Sequence, residues 1–260
     1  MTLACDRAGP AGGPPVVLLH GIGGGRAIWR GSLPALAAAG FDAIAFDLPG
    51  YGDSALEPPG GVDAMARAVA AAMQALGLAP AAVVGHSMGG MVAQALAALV
   101  PERLRALVLA CTSPAFGKPD GDWQARFVRE RLAPLDAGGG MAALAAQLVP
   151  GMVAPGTPPA AVAEAQAVMA RVPEATYRAV LAAIVAFDRR ADLPAIGVPT
   201  LCLAGAHDRT APPEVMRRMA ERIPGAAYAE LAGAGHVANV EQPQAFNDAL
   251  VAFLRRHLTN

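Results

Sequence analysis

Residues 81–90 read Ala81-Ala82-Val83-Val84-Gly85-His86-Ser87-Met88-Gly89-Gly90. The first four form a short apolar run of the length expected for a strand buried on both faces. The last three open a helical pattern that continues to Val100. Between them lies G-x-S-x-G, a motif whose meaning depends on this strand-to-helix setting. Side chains would collide in so tight a turn, which accounts for Gly85 and Gly89 on either side of the serine. The turn thrusts the Ser87 hydroxyl out at the carboxyl end of the sheet, with the positive end of a helix behind it. The stretch therefore predicts an α/β fold with Ser87 as a candidate nucleophile. The competing reading is a glycine-rich turn carrying a solvated serine.

The same alternation extends in both directions. Apolar runs at Val16 to Leu19, Ala43 to Phe46, Leu107 to Ala110, Thr200 to Ala204 and Ala227 to Leu231 each end in turn residues. Helical patterns separate them at Leu33 to Ala39, Asp63 to Leu76, Ser87 to Val100, Glu214 to Ile223 and Gln244 to Leu258. Strands alternating with helices predict a mostly parallel sheet covered by helices. The alternation breaks from Pro114 to Asp192, where Pro/Gly punctuation separates helical stretches, the most regular running from Pro173 to Phe187. The expected organisation is a core of residues 1–113 and 193–260, with 114–192 as an inserted helical unit.

Composition narrows the class. The chain has 260 residues, 54% hydrophobic and 16% charged, which excludes a disordered chain. Alanine occurs 62 times, and Lys118 is the single lysine. A net charge of −1 offers no field for nucleic acid. The most apolar stretch, Met91 to Val100, is too short to span a membrane, and the N-terminus lacks a secretion-signal pattern. Cys5, Cys111 and Cys202 are far apart, with no C-x-x-C pair, and read as small apolar residues of a reducing compartment. A cytoplasmic protein with a small-molecule partner is expected, without nucleic acid or membrane partners. No metal site is indicated, and oligomeric state is left open.

A serine hydroxyl needs a base. Of five histidines, His257 lies in the terminal helix, His86 within the elbow and His20 in a turn suited to shaping a loop. His207 stands beside Asp208. His236 follows Gly233-Ala234-Gly235 just past a strand, where glycines leave room for a side chain over the sheet. His236 is the candidate base, weighed against a structural loop histidine. A carboxylate should fix its tautomer, and Asp208 follows the Thr200 to Ala204 strand. Its competing roles are helix cap or partner of Arg209. The turn after the preceding strand, Cys111-Thr112-Ser113, offers no carboxylate. The order Ser87, Asp208, His236 is that of α/β-hydrolase arrangements. Backbone N–H groups of Met88 and of Ile22, in the glycine-rich His20-to-Gly25 loop, are candidate oxyanion donors. A phosphate-cradling loop is disfavoured there because Walker spacing and its lysine are absent.

With these residues in place, the chain resembles the α/β-hydrolase-fold serine hydrolases over nearly its whole length. The resemblance rests on His20-Gly21-Ile22-Gly23, Phe46-Asp47-Leu48-Pro49-Gly50-Tyr51-Gly52-Asp53-Ser54, Gly85 to Gly89, Asp208 and Gly235-His236. It implies an eight-stranded, mostly parallel sheet with a helical cap. The first strand is expected to be missing or very short, since only fifteen residues precede Val16. Asp47 to Ser54 is expected to be a structural turn. Relatives that are haloalkane dehalogenases or epoxide hydrolases carry an aspartate at the elbow, and Ser87 argues against both.

Phe187-Asp188-Arg189-Arg190-Ala191-Asp192-Leu193-Pro194 and Gly233 to Pro243 further resemble the 3-oxoadipate enol-lactonase group. The implied activity is hydrolysis of a carboxylic ester or lactone through an acyl-enzyme on Ser87, with no cofactor. Because that group's substrate carries a carboxylate, Arg126, Arg129, Arg131, Arg171 and Arg178 are candidate cap arginines, against the alternative of a solvated helix face. Trp29, Trp123, Met88 and Met152 are candidate pocket residues, against a core role. A general carboxylesterase or thioesterase, a carbon–carbon bond hydrolase or an acyltransferase would use the same residues. A non-catalytic ligand-binding relative is the alternative of a different class.

Overall fold

The continuous apolar runs become the middle of one sheet. A computed structural model describes residues 3–55, 60–116 and 122–258. Lys118 and the rest of 117–121 lie outside the described residues. The strands are β1 (Cys5–Ala8), β2 (Pro15–Leu19), β3 (Asp42–Phe46), β4 (Ala81–His86), β5 (Leu104–Ala110), β6 (Thr200–Gly205) and β7 (Ala227–Leu231). Their order is β1-β3-β2-β4-β5-β6-β7. All pairings are parallel except β1 against β3. Every residue of β3, β4 and β6 is buried, as covered parallel strands should be, whereas the edge strands β1 and β7 are half exposed. The sheet thus has seven strands among the described residues, one fewer than the resemblance implied, and its first strand is only four residues long.

Helices α1 (Leu33–Ala38), α2 (Val62–Ala75), α3 (Met88–Leu99), α8 (Pro213–Arg222) and α10 (Pro243–Leu258) accompany the sheet, with the short α9 (Ala238–Glu241) before α10. Four helices, α4 (Trp123–Asp136), α5 (Gly140–Met152), α6 (Pro159–Met169) and α7 (Glu174–Ile184), occupy the stretch between β5 and β6. An isolated antiparallel bridge between Ala115 and Asp188 draws the two ends of that stretch together. Among the described residues no helix is long and apolar enough to cross a membrane.

The topology selects where chemistry can sit. Strand order reverses at β2, which has β3 on one side and β4 on the other. Loops leaving the carboxyl ends of β2 and β4 therefore diverge and leave a crevice, the usual ligand position in open α/β sheets. The loop 20–25 and the Ser87 turn flank that crevice.

Two buried histidines support this region. His20 Nδ1–H donates to the Gly21 carbonyl at 2.8 Å, and its Nε2 accepts the Leu48 N–H at 3.0 Å. His86 Nε2–H donates to the His236 carbonyl at 2.6 Å. Burial lowers both from 6.5 to about 4, and the neighbouring His236 adds to the effect at His86. The unfolded chain protonates these rings below pH 6.5, whereas the native state resists until about pH 4. Their contribution, on the order of 3 kcal/mol each, is thus complete above that window and lost as pH falls through it. Denaturant midpoints measured across the window should fall steadily, and a level profile would contradict two neutral buried rings.

Candidate active site

Ser87 sits between β4 and α3 with φ 53° and ψ −119°. A non-glycine residue reaches this region only under constraint, at a cost of about 1–3 kcal/mol. The constraint is visible in the hydrogen bonds. Ser87 N–H donates to the Ala110 carbonyl at 2.9 Å, and the Thr112 hydroxyl donates to the Ser87 carbonyl at 2.7 Å. Close packing explains the two glycines. A Cβ on Gly85 would lie 2.3 Å from the Gly89 carbonyl oxygen, and one on Gly89 would lie 2.2 Å from that of Leu19. The elbow is thus wedged against the end of β2.

Three side chains from three loops meet here. Asp208 follows β6 and His236 follows β7. His236 Nδ1–H donates to Asp208 Oδ2 at 2.8 Å, and the Ser87 hydroxyl donates to His236 Nε2 at 2.9 Å. A carboxylate only accepts, so the proton lies on Nδ1 and Nε2 is free to take one from Ser87. Asp208 and His236 are both nearly inaccessible to solvent. Burial pushes the Asp208 carboxyl up, but the His236 ring and the N–H groups of Ala211 and Thr210 outweigh it and hold the carboxyl below its ordinary value. Those two N–H groups both donate to Asp208 Oδ1, at 2.9 and 2.7 Å.

The histidine loop is fixed by partners that sequence reading missed. His236 N–H donates to the Met152 carbonyl at 2.7 Å, so the end of α5 holds the base's backbone. A Cβ on Gly235 would come within 2.5 Å of that same oxygen, which explains the glycine before His236. Buried Glu241 accepts four hydrogen bonds, from the N–H groups of Ala154, Gly235 and Val237 and from the Thr157 hydroxyl, at 2.7 to 3.0 Å. It joins the insertion to the histidine loop. Glu241 lies within the Gly233 to Pro243 segment, whose spacing gives no sign that the carboxylate turns back on the loop.

The hydroxyl of Ser87 opens into a cavity of about 1050 Å³. The candidate pocket residues Met88, Trp123 and Met152 line it, together with Ile22, Ser87 and His236. A side pocket of about 50 Å³, under Gly23, Ala165 and Met169, also reaches Ser87. Met88 is the first residue of α3, so its N–H has no acceptor within the helix. The buried Tyr51 hydroxyl donates to the Ile22 carbonyl at 3.0 Å and steadies that loop.

Other candidates fall elsewhere. Trp29 is fully buried, packed near Phe246 at 6.1 Å between ring centres, and does not line the cavity. It is a core residue, because its short helical turn (Arg26–Trp29) packs among β2, β3, α6 and α9. Arg126, Arg129 and Arg171 point to solvent away from the cavity, and Arg178 is engaged by Asp136 and Glu174. Of the five cap arginines only Arg131 lines the cavity, with its guanidinium 4.9 Å from the Phe127 ring centre. The turn Asp47 to Ser54 is structural as expected: Asp47 and Asp53 pair with Arg26, and Ser54 Oγ bridges Ala4 and Asp47. No cluster of three metal-ligating side chains occurs among the described residues.

Comparison with known proteins shows the same fold. The family described as alpha/beta hydrolase fold matches residues 14–243. A Variovorax paradoxus protein bearing the name carbamate hydrolase RutD is 36% identical over 98% of this chain and 97% of its own. A thermophilic esterase from Thermogutta terrifontis, solved with malate bound, superposes with a TM-score of 0.88 at 30% identity, covering 98% of this chain and 94% of its own. The enol-lactonase from Burkholderia xenovorans gives 0.87 at 30% identity, covering 97% and 96%. The chain belongs to the alpha/beta hydrolase fold family.

Proposed function

We propose that this hydrolase cleaves carboxylic esters or lactones by transient acylation of Ser87. The observation that carries the reading is the hydrogen-bonded chain from Ser87 through His236 to Asp208, at the floor of an apolar-walled cavity. In this mechanism His236 Nε2 accepts the Ser87 proton as Oγ attacks the carbonyl carbon. The N–H groups of Ile22 and Met88 receive the oxyanion, each donor contributing about 3 kcal/mol to the transition state. His236 then protonates the leaving oxygen and activates the water that releases the acid. Asp208 keeps the imidazole in the Nδ1–H tautomer. Residues 114–192 serve as a cap over a core of 1–113 and 193–260, tied to His236 through Met152 and Glu241.

A second reading has a specific ground. The relative bearing the carbamate hydrolase name covers nearly the whole chain. A carbamate presents the same kind of carbonyl to Ser87, with nitrogen in place of one carbon substituent. Likeness to the enol-lactonase favours a lactone, including a carboxylate-bearing one such as 3-oxoadipate enol-lactone. The deciding experiment is a hydrolysis panel of short esters, lactones and simple carbamates. Ester or lactone turnover well above the carbamate rate is expected. The reverse order moves the assignment to carbamates, and silence on all three classes overturns acyl hydrolysis.

A further inference from the structure

We propose that the cavity wall formed by α8 and the loop before it binds an anionic group, a carboxylate or phosphate, carried by the substrate away from the carbonyl that Ser87 attacks. This rests on the acyl-hydrolase reading and extends it to a substrate class. Val215, Arg218, Met219 and Arg222 all line the cavity. Their spacing of i, i+3, i+4 and i+7 puts them on one face of α8. Arg209, in the loop after β6, lines the same wall. From Val215 to Arg222 the face spans about 10 Å. It brings apolar side chains and arginines together on that wall of the cavity.

Charge distribution sets this face apart. All five charged residues of α8, Glu214, Arg217, Arg218, Glu221 and Arg222, are exposed, and only Arg218 and Arg222 of them line the cavity. Arg217 is paired with Glu230 and stacked on Tyr228. Arg189 and Arg190 likewise have acidic partners. Among the described residues, no acid pairs with Arg209, Arg218 or Arg222. Five arginines, counting Arg131 and Arg190, line the cavity against one carboxylate, Glu130. A chain of net charge −1 thus places three arginines without an acidic partner, Arg209, Arg218 and Arg222, along the exposed part of the cavity wall. A cluster of like charge attracts anions, and guanidinium groups suit the planar geometry of carboxylate and phosphate.

The anion has two sources, separable by matched substrates. The p-nitrophenyl monoester of glutarate against p-nitrophenyl pentanoate tests a carboxylate on the acyl side. Acetyl-coenzyme A against S-acetyl-N-acetylcysteamine tests phosphate on the leaving side. In at least one pair the anionic member should have the higher kcat/KM by about tenfold, mainly through KM. That ratio should collapse in Arg218→Gln/Arg222→Gln and in high salt, and persist in Arg217→Gln, which does not line the cavity. A ratio near one in both pairs, or a preference that survives the double substitution, overturns the proposal. Calorimetric titration of Ser87→Ala with the same intact esters reads binding without turnover. An anion-dependent affinity lost with the two arginines supports the proposal even if acyl hydrolysis fails, and equal affinity for charged and neutral members refutes it.

Discussion

Replacing Ser87 by alanine should lower kcat on the best ester of the panel by about 10⁵-fold or more. The expectation follows from the division of labour in the site. The Nε2 of His236 has Ser87 Oγ as its partner at 2.9 Å, so removing that oxygen leaves the base with no nucleophile to activate. The residual rate should be what the oxyanion donors and binding alone can supply. Stability should change little. The backbone contacts that impose the strained turn run through the N–H and carbonyl of Ser87, and both survive in alanine. Turnover within tenfold of the parent, in a folded variant, would remove Ser87 from the reaction.

Asp208→Asn should cost about 10⁴-fold in kcat with the fold retained. Here the surroundings dictate how the amide sits. The N–H groups of Thr210 and Ala211 both point at Oδ1, so the amide oxygen must take that place. Its NH₂ then faces His236 Nδ1. A donor there forces the imidazole into the Nε2–H tautomer, which points a proton at Ser87 rather than accepting one. The charge that stabilises the imidazolium is lost as well. A pH–rate study of the variant should find no neutral-pH recovery, and a loss smaller than tenfold would show that Asp208 neither orients nor stabilises the base.

Much of the fold was legible because its central strands are buried on both faces. Burial on both sides selects unbroken apolar runs, and Val16 to Leu19, Ala81 to Val84 and Thr200 to Ala204 therefore announce themselves. Strand β1, Cys-Asp-Arg-Ala, could not be read this way. It is an edge strand held by backbone pairing to β3 and by the ion pair of Arg7 with Asp42, neither of which leaves a period in the sequence. The Ser87, Asp208 and His236 positions were legible because each follows a strand at the same end of a parallel sheet.

Side chains were harder to place than strands. Trp29 and Trp123 are chemically alike, yet one is core and the other lines the cavity. Which side of a short helical turn faces the cleft depends on packing against Phe246, more than two hundred residues away. The arginines show the same limit. A cap suggests substrate contact and so points to the insertion's arginines, while Arg209, Arg218 and Arg222 lie in the sequence of an ordinary amphipathic helix and its leading loop. Only the tertiary arrangement shows that one face of α8 borders the cavity. Glu241 and the Met152 carbonyl fix the histidine loop through contacts between distant segments, which no local pattern encodes.

The account turns on an activated Ser87, and covalent labelling tests this most directly. The folded protein should react with a fluorophosphonate at neutral pH to give a single adduct by intact mass, mapped by peptide analysis to Ser87. Labelling should vanish in Ser87→Ala and slow severely in His236→Ala, since only a serine paired with its base reacts readily. An unlabelled parent protein, or an adduct on another residue that persists in Ser87→Ala, would contradict the assignment.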